Sequence, residues 1–237
     1  VVNDTRGFYV NRCVLRYMQE AYSMLIEGVP APMIENAAKM AGMPVGPLAL
    51  TDETAIDLAQ KIMKQTIRDL GEKAVDQRHM ELIDMMVDKH GRRGRKNGKG
   101  FYEYPAKPAK KFLWPGLKDF YRQQDPDEID VEELKARFLY VIALEAARVM
   151  EEGIVTDPRE ADVGSILAFG FAPFTGGVLS LIDGIGAAEF VKRAERLQKK
   201  YGKQFKPPRL LLEMAEKGET FYDRFAPEGV GGFKEAA

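Results

Sequence analysis

The sequence of 237 residues contains one cysteine, Cys13, two histidines, His79 and His90, and one tryptophan. A single cysteine excludes an internal disulfide and a cysteine-rich metal site. The histidines lie eleven residues apart and lack the H-E-x-x-H spacing that sets two imidazoles on one helix face, so no metal centre is expected. No apolar run approaches the roughly 20 residues that cross a bilayer. A basic surplus is lacking too: 35 Lys and Arg face 36 Asp and Glu, a formal charge of −1, where a chain built on nucleic acid normally carries a basic excess. There is no G-x-x-x-x-G-K-[ST], and the run from Gly184 to Glu189 lacks the third glycine of a dinucleotide turn and follows no strand-like segment. Ser165 and Ser180 stand in no G-x-S-x-G elbow, which leaves serine-nucleophile chemistry unsupported. No signal peptide is read, and the final Phe-Lys-Glu-Ala-Ala is not a peroxisomal tripeptide. A reducing, cytoplasmic setting is the expectation. Val1-Val2 reads as the tail of a strand, which suggests further chain upstream.

What is present reads as helix almost throughout. Hydrophobic residues make up 45% and charged residues 30%, ordinary for a globular chain. The length suffices for one large domain or two small ones. After Asp4-Thr5, residues 8–27 place Val14, Met18, Ala21 and Leu25 at helical spacing, and Gly28 ends the run. A short helix over 33–40, a Gly/Pro loop over 42–47, a long helix over 51–70 and another over 78–90 follow. Residues 105–129, with Pro105, Pro108, Pro115, Pro126 and lysines clustered at 107–111, read as a linker. Asp130, with Glu133 three residues on, predicts a helix start; Phe138, Ile142, Ala146 and Val149 form its stripe and Gly153 its end. The glycine- and phenylalanine-rich run 164–177 reads as a tight apolar loop between helices. His79 and His90 read as surface or capping residues, His90 suiting the negative end of a helix, and Cys13 as a small buried hydrophobe.

The second half repeats the first. Glu20–Val29 aligns without gaps on Glu145–Ile154, matching Glu20 with Glu145, Ala21 with Ala146, Glu27 with Glu152 and Gly28 with Gly153, while Arg12 falls on Arg137. Further on, Gly46, Leu48, Leu50 and Asp52 match Gly177, Leu179, Leu181 and Asp183. Two blocks in one order predict a tandem duplication, most simply packed about a pseudo-twofold axis as in a homodimer. The fold class expected is all-α. The division expected is a first unit over 1–104, the linker 105–129, and a second unit over 130–237.

The stretch GRRGRKNGKGFYEY, residues 91–104, puts Arg92, Arg93, Arg95, Lys96 and Lys99 beside Phe101, Tyr102 and Tyr104. Cations and aromatics on a mobile backbone suit single-stranded nucleic acid. The alternative is a local role within a folded protein. The neutral net charge argues against nucleic acid.

Gly7-Phe8-Tyr9-Val10-Asn11-Arg12 resembles the G-F-x-x-N-R signature that opens the C-terminal domain of NAD-dependent 3-hydroxyacyl-CoA dehydrogenases. Gly46-Pro47 with Asp52 resembles the G-P and D element that follows it. Residues 94–104 resemble the segment closing that domain in multifunctional fatty-acid β-oxidation proteins, and the second copy, with residues 161–177, resembles the additional C-terminal domain those proteins carry. The resemblance covers almost the whole chain. It implies a helical fold of the 6-phosphogluconate dehydrogenase C-terminal-like kind, and oxidation of (S)-3-hydroxyacyl-CoA by hydride transfer to NAD. It also implies that NAD and the catalytic His–Glu pair belong to an N-terminal Rossmann domain that this sequence does not contain, so the chain alone is expected to be inactive. Asn11 is the catalytic residue carried over, near the substrate's 3-oxygen: its NH2 donates to developing negative charge and its carbonyl accepts from an imidazole. Lys96 and Lys99 are candidate contacts to the CoA phosphates; no residue is assigned to cofactor or metal.

In the gapless alignment Asn11 falls on Ala136, so the second copy is expected to be catalytically silent and to wall the acyl-CoA cleft. Glu20 and Glu145 read as internal helix pairings, and Arg12 as bonded to the missing Rossmann half or to a loop. The partners implied are acyl-CoA, the Rossmann domain, an enoyl-CoA hydratase domain and a thiolase β-subunit. The competing reading is a free-standing helical module that binds acyl-CoA or thiolase without redox chemistry.

Overall fold

The structure, a computed structural model, describes residues 2–225. The chain forms two compact units: residues 17–136, and the described parts of 1–16 together with 137–237. The fold is helical, as expected, and among the described residues strands are confined to one two-residue pair.

In the unit 17–136, the greater part of α1 (Val10–Ile26) is followed by α2 (Ala31–Met40), α3 (Pro47–Thr54), α4 (Ile56–Leu70) and α5 (Gln77–Asp84), the last prolonged by a π-helical turn over Met85–Lys89. Strands β1 (Tyr102–Glu103) and β2 (Phe112–Leu113) then pair antiparallel, Tyr102 opposite Leu113. Helix α1 buries Tyr17, Met18, Ala21, Tyr22 and Leu25 at i, i+1, i+4, i+5 and i+8, an inward stripe in which each large side chain contributes about 1.5–3 kcal/mol. The single helix expected over 51–70 is two helices. Ala55 turns the chain with φ +76°, a costly conformation for a residue with a Cβ. The turn sends the Ile56 N–H to the Arg93 carbonyl at 3.1 Å and buries the Ile56 side chain completely. His79 is neither a surface nor a capping residue: it is buried, with Nε2 2.9 Å from Ser23 Oγ. His90 does stand at a helical end, against the rings of Trp114 and Phe120. Within residues 105–129, Leu117 is buried, Trp114 N–H donates to the Phe101 carbonyl and Gln124 N–H to that of Gly28, both at 2.8 Å.

Helix α6 (Val131–Glu151) leads into the other unit, where α7 (Pro158–Phe169), α8 (Val178–Ile185), α9 (Ala187–Tyr201), α10 (Arg209–Lys217) and α11 (Phe221–Arg224) follow. Asp130 caps α6, its Oδ1 accepting from the N–H groups of Glu132 and Glu133 at 2.9 and 3.2 Å. From Phe138 to Met150 α6 is buried on nearly every side, as a central helix must be. Tyr140 stacks flat on Phe190 of α9 at 4.3 Å. The run 164–177 is only partly a loop: Gly164 to Phe169 complete α7, which Gly170 ends in a left-handed C-cap.

A pair of carboxylates recurs in each unit. On α2, Glu35 accepts from Leu48 N–H at 2.8 Å and from the Tyr102 hydroxyl at 2.6 Å. On α3, Asp52 accepts from the N–H groups of Phe101 and Tyr102, both at 2.8 Å, and from the Tyr104 hydroxyl. In the other unit, Asp162 on α7 accepts from Leu179 N–H at 2.7 Å and the Tyr222 hydroxyl at 2.9 Å. Asp183 on α8 accepts from the N–H groups of Phe221 and Tyr222. Gly46 lies against Glu35 as Gly177 lies against Asp162. Each clasp thus ties a late Phe-Tyr segment to two earlier helices.

Two predictions follow from the clasp. A methyl group at Gly100 would overlap the Asp52 carboxylate, so Gly100→Ala should destabilise by roughly 2–3 kcal/mol, read from urea unfolding; an unchanged midpoint would contradict the clasp. Burial pushes the Asp52 carboxyl up to about 6, against the donors Tyr102, Phe101 and Tyr104 and the charge of Arg92. A carboxyl raised in the folded state contributes stability that is full below its unfolded value of about 3.9 and is lost as pH rises through 6. Between pH 4 and 6 the unfolding free energy of Asp52→Asn should therefore fall less steeply than that of the parent sequence.

Candidate functional site

The site is built from the first turn of α1. Thr5 accepts the Phe8 N–H at 3.1 Å, and the chain enters the helix through Gly7 at φ +81° and Phe8 at φ +49°. Glycine takes this conformation freely; phenylalanine does so at a cost, and strain of this kind gathers where a side chain must be aimed. Tyr9 goes inward: its hydroxyl donates to the Ala161 carbonyl of α7 at 2.9 Å and its ring meets Phe169 edge-on at 6.1 Å. Burial first, then Cys13 and Asp162, push the Tyr9 phenol far above its ordinary range, so it stays a neutral donor. Cys13 is fully buried, as expected, and burial raises its thiol well above the usual value.

Asn11 is the second residue of α1 and is exposed; no hydrogen bond of its side chain occurs among the described residues. It stands where the unpaired N–H groups and the positive end of the helix dipole already favour negative charge. Next to it, Arg12 donates from Nε to Glu145 at 2.7 Å and from Nη1 and Nη2 to Glu152 at 2.5 and 3.0 Å. Sequence reasoning had aimed Arg12 at a Rossmann domain or a loop; the structure gives it two carboxylates of α6. Glu145 also accepts from Arg16 at 3.1 Å and Arg148 at 3.0 Å, which fits the internal pairing expected of it. Burial raises the Glu145 carboxyl, but Arg16, Arg12 and Arg148 outweigh that and hold it below the ordinary range. The guanidinium anchor fixes the turn that presents Asn11, a free amide on a rigid, electropositive helix start.

Of the five cations in the basic run only Arg92 is internal. Arg92 is buried, with Nε donating to the Gly100 carbonyl at 2.6 Å, Nη1 paired with Glu103 at 2.8 Å, and its guanidinium 4.0 Å from the Trp114 ring centre. Arg95 pairs with Glu53 at 2.8 Å. Phe101 is fully buried and Tyr102 nearly so, so neither ring can stack on a base. Of the two candidate phosphate contacts, Lys96 is already paired with Asp57 at 2.5 Å, whereas Lys99 is exposed and in no ion pair among the described residues. Sequence reasoning missed Arg92 as a scaffold residue, and missed Glu35 with Asp162; the doubled Phe-Tyr-acid run at 101–103 and 221–223 was the available signal.

The nicotinamide cofactor of the resembling family does not fit the residues present. Among the described residues there is no parallel strand pair to open a dinucleotide turn, and Gly184 and Gly186 lie at the α8–α9 junction rather than after a strand.

The model of the 3-hydroxyacyl-CoA dehydrogenase C-terminal domain matches residues 7–104. Over 94% of its length the chain is 38% identical to the fatty acid oxidation complex subunit alpha of Shewanella loihica, 40% identical to that of Shewanella amazonensis and 35% identical to that of Vibrio parahaemolyticus. It spans about 31% of the length of these relatives. Its fold is similar to that of 3-hydroxybutyryl-CoA dehydrogenase from Escherichia coli K12, with a TM-score of 0.64 and 19% identity over 92% of this chain and 61% of that one. It is also similar to the dehydrogenase part of multifunctional enzyme 1 from C. elegans, with a TM-score of 0.59 and 15% identity over 92% and 49%. Residues 7–104, where Asn11 and the first clasp lie, are thus the part of the chain that is similar to the 3-hydroxyacyl-CoA dehydrogenase C-terminal domain.

Proposed function

We propose that this chain is the substrate-side part of an NAD-dependent (S)-3-hydroxyacyl-CoA dehydrogenase of fatty-acid β-oxidation, inactive without a Rossmann domain. The observation that carries the reading is Asn11, exposed and unpaired on the anchored first turn of α1. Its amide would donate to the substrate's 3-oxygen as negative charge develops there, aided by the helix terminus. The nucleotide belongs to the missing domain, and this chain's own task is to position and polarise. The second copy has Ala136 at the place of Asn11 in the alignment and is proposed to be catalytically silent; the doubled carboxylate clasp supports the duplication, with copies over 1–104 and 130–237 joined by 105–129.

Acyl-CoA, the Rossmann domain, an enoyl-CoA hydratase domain and a thiolase β-subunit are the partners on this reading, which the relatives' naming as subunits of a fatty acid oxidation complex supports. The compartment proposed is the cytoplasm. No described helix is long and apolar enough to cross a membrane.

The test is acetoacetyl-CoA-dependent oxidation of NADH by the chain alone and with the parent's N-terminal part added. Silence alone and turnover on mixing is the expected result. Turnover by the chain alone would overturn the reading.

A further inference from the structure

Beside the closing strand pair lies an open groove of about 660 Å³ whose walls include Lys99, Glu103, Tyr104, Phe112, Trp114 and Pro115. Two features of it are unexplained by the fold. Phe112, on β2 opposite Glu103, leaves half its surface in water. The flanking cations also lack anions. Residues 99–111 contain Lys99, Lys107, Lys110 and Lys111 against the single acid Glu103, and the Glu103 carboxylate is held by Arg92. None of these four lysines forms an ion pair among the described residues. Lys111 instead rests over the rings of Tyr102 and Tyr104, at 4.8 and 5.6 Å from their centres.

A planar, electron-rich ring bearing several negative charges matches these surfaces. Phe112, Tyr104 and Trp114 offer faces for a purine, with Trp114 fixed by the Arg92 guanidinium, and the ammonium groups of Lys99 in the wall and of Lys111 over the Tyr104 ring suit phosphates. We propose that this groove takes the adenosine 3′,5′-bisphosphate end of coenzyme A, an assignment that rests on the acyl-CoA reading above and extends it. Lys99 and Lys111 hold the phosphates and Phe112 stacks on the adenine. Lys96, neutralised by Asp57, takes no part.

Trp114 is the only tryptophan, so the fluorescence of the intact chain reports on this groove directly. Titration with adenosine 3′,5′-bisphosphate should quench it saturably. Lys99→Ala and Lys111→Ala should each weaken binding about tenfold, the scale of one charge-assisted contact, and Phe112→Ala should weaken it comparably. Circular dichroism checks that each variant is folded; all three residues are exposed. Adenosine, inorganic phosphate and NADH are the comparison ligands. Quenching by NADH as strong as by the bisphosphate would overturn the commitment to coenzyme A. Absence of saturable quenching, or affinity indifferent to both lysines, would overturn the site. Either failure leaves the dehydrogenase reading intact if the mixed halves still turn over, whereas quenching without turnover on mixing would sink that reading and keep the groove.

Discussion

Asn11→Ala in the full-length parent protein is expected to lower kcat for acetoacetyl-CoA reduction on the order of 10²-fold, the usual cost of removing one preorganised donor to a developing oxyanion. KM should change far less, because on the proposed reading the amide acts where charge develops rather than where the thioester is held. Structural damage is a weak alternative explanation. Asn11 is exposed and has no side-chain hydrogen bond to lose among the described residues, so the stability of Asn11→Ala should match that of the parent within about 0.5 kcal/mol, as for surface substitutions generally. Full activity in the variant would remove Asn11 from the mechanism. A fall in activity that tracks a fall in stability would assign it a scaffold role instead.

The second large effect concerns Glu145. Its carboxylate is buried and accepts from Arg12, Arg16 and Arg148. Glu145→Ala would take this carboxylate from three guanidinium groups, of which Arg12 keeps Glu152 and Arg148 is one that burial already disfavours as a cation. Removing one partner of a buried ion pair typically costs roughly 3–5 kcal/mol, most of it the stranded charge. Denaturant unfolding of the chain measures it, and a loss below about 1 kcal/mol would show that Arg12, Arg16 and Arg148 reach water once released. The pH dependence has the opposite sign to that of Asp52. Because the folded Glu145 carboxyl is depressed, its contribution is present above the unfolded value of about 4.3 and is lost as pH falls through the folded one. Stability should therefore drop on acidification below about pH 4.3 in the parent sequence and more gently in Glu145→Gln. The two predictions meet in one place: Arg12 links Glu145 to the turn that presents Asn11, so Glu145→Gln in the full-length parent should also lower kcat, though by less than Asn11→Ala does.

The helical class was legible because amphipathic spacing is a local property: the stripes of α1 and α6, their terminal glycines and the Asp130 cap can all be read one turn at a time. Asn11 was legible only through the six-residue signature around it, since nothing in an isolated Asn-Arg pair tells a catalytic amide from a capping one. Several other assignments needed the fold. No glycine or proline marks the break at Ala55, because it is imposed by the Arg93 carbonyl, 37 or more residues further along the chain. The basic run reads as a mobile arm in sequence, yet Arg92 is interior, because the carboxylate and ring that hold it, Glu103 and Trp114, come from later segments.

By itself, then, the sequence determined that the chain is helical, and it supplied the internal repeat and the short motif on which the proposed chemistry rests, since spacing and identity are written along the chain. The tertiary structure alone decided which charges are spent and which are free. Arg12 and Arg92 are anchors, Lys96 is neutralised and Lys99 is not, because the energy of a charged group depends on the partners and the water that the fold leaves around it.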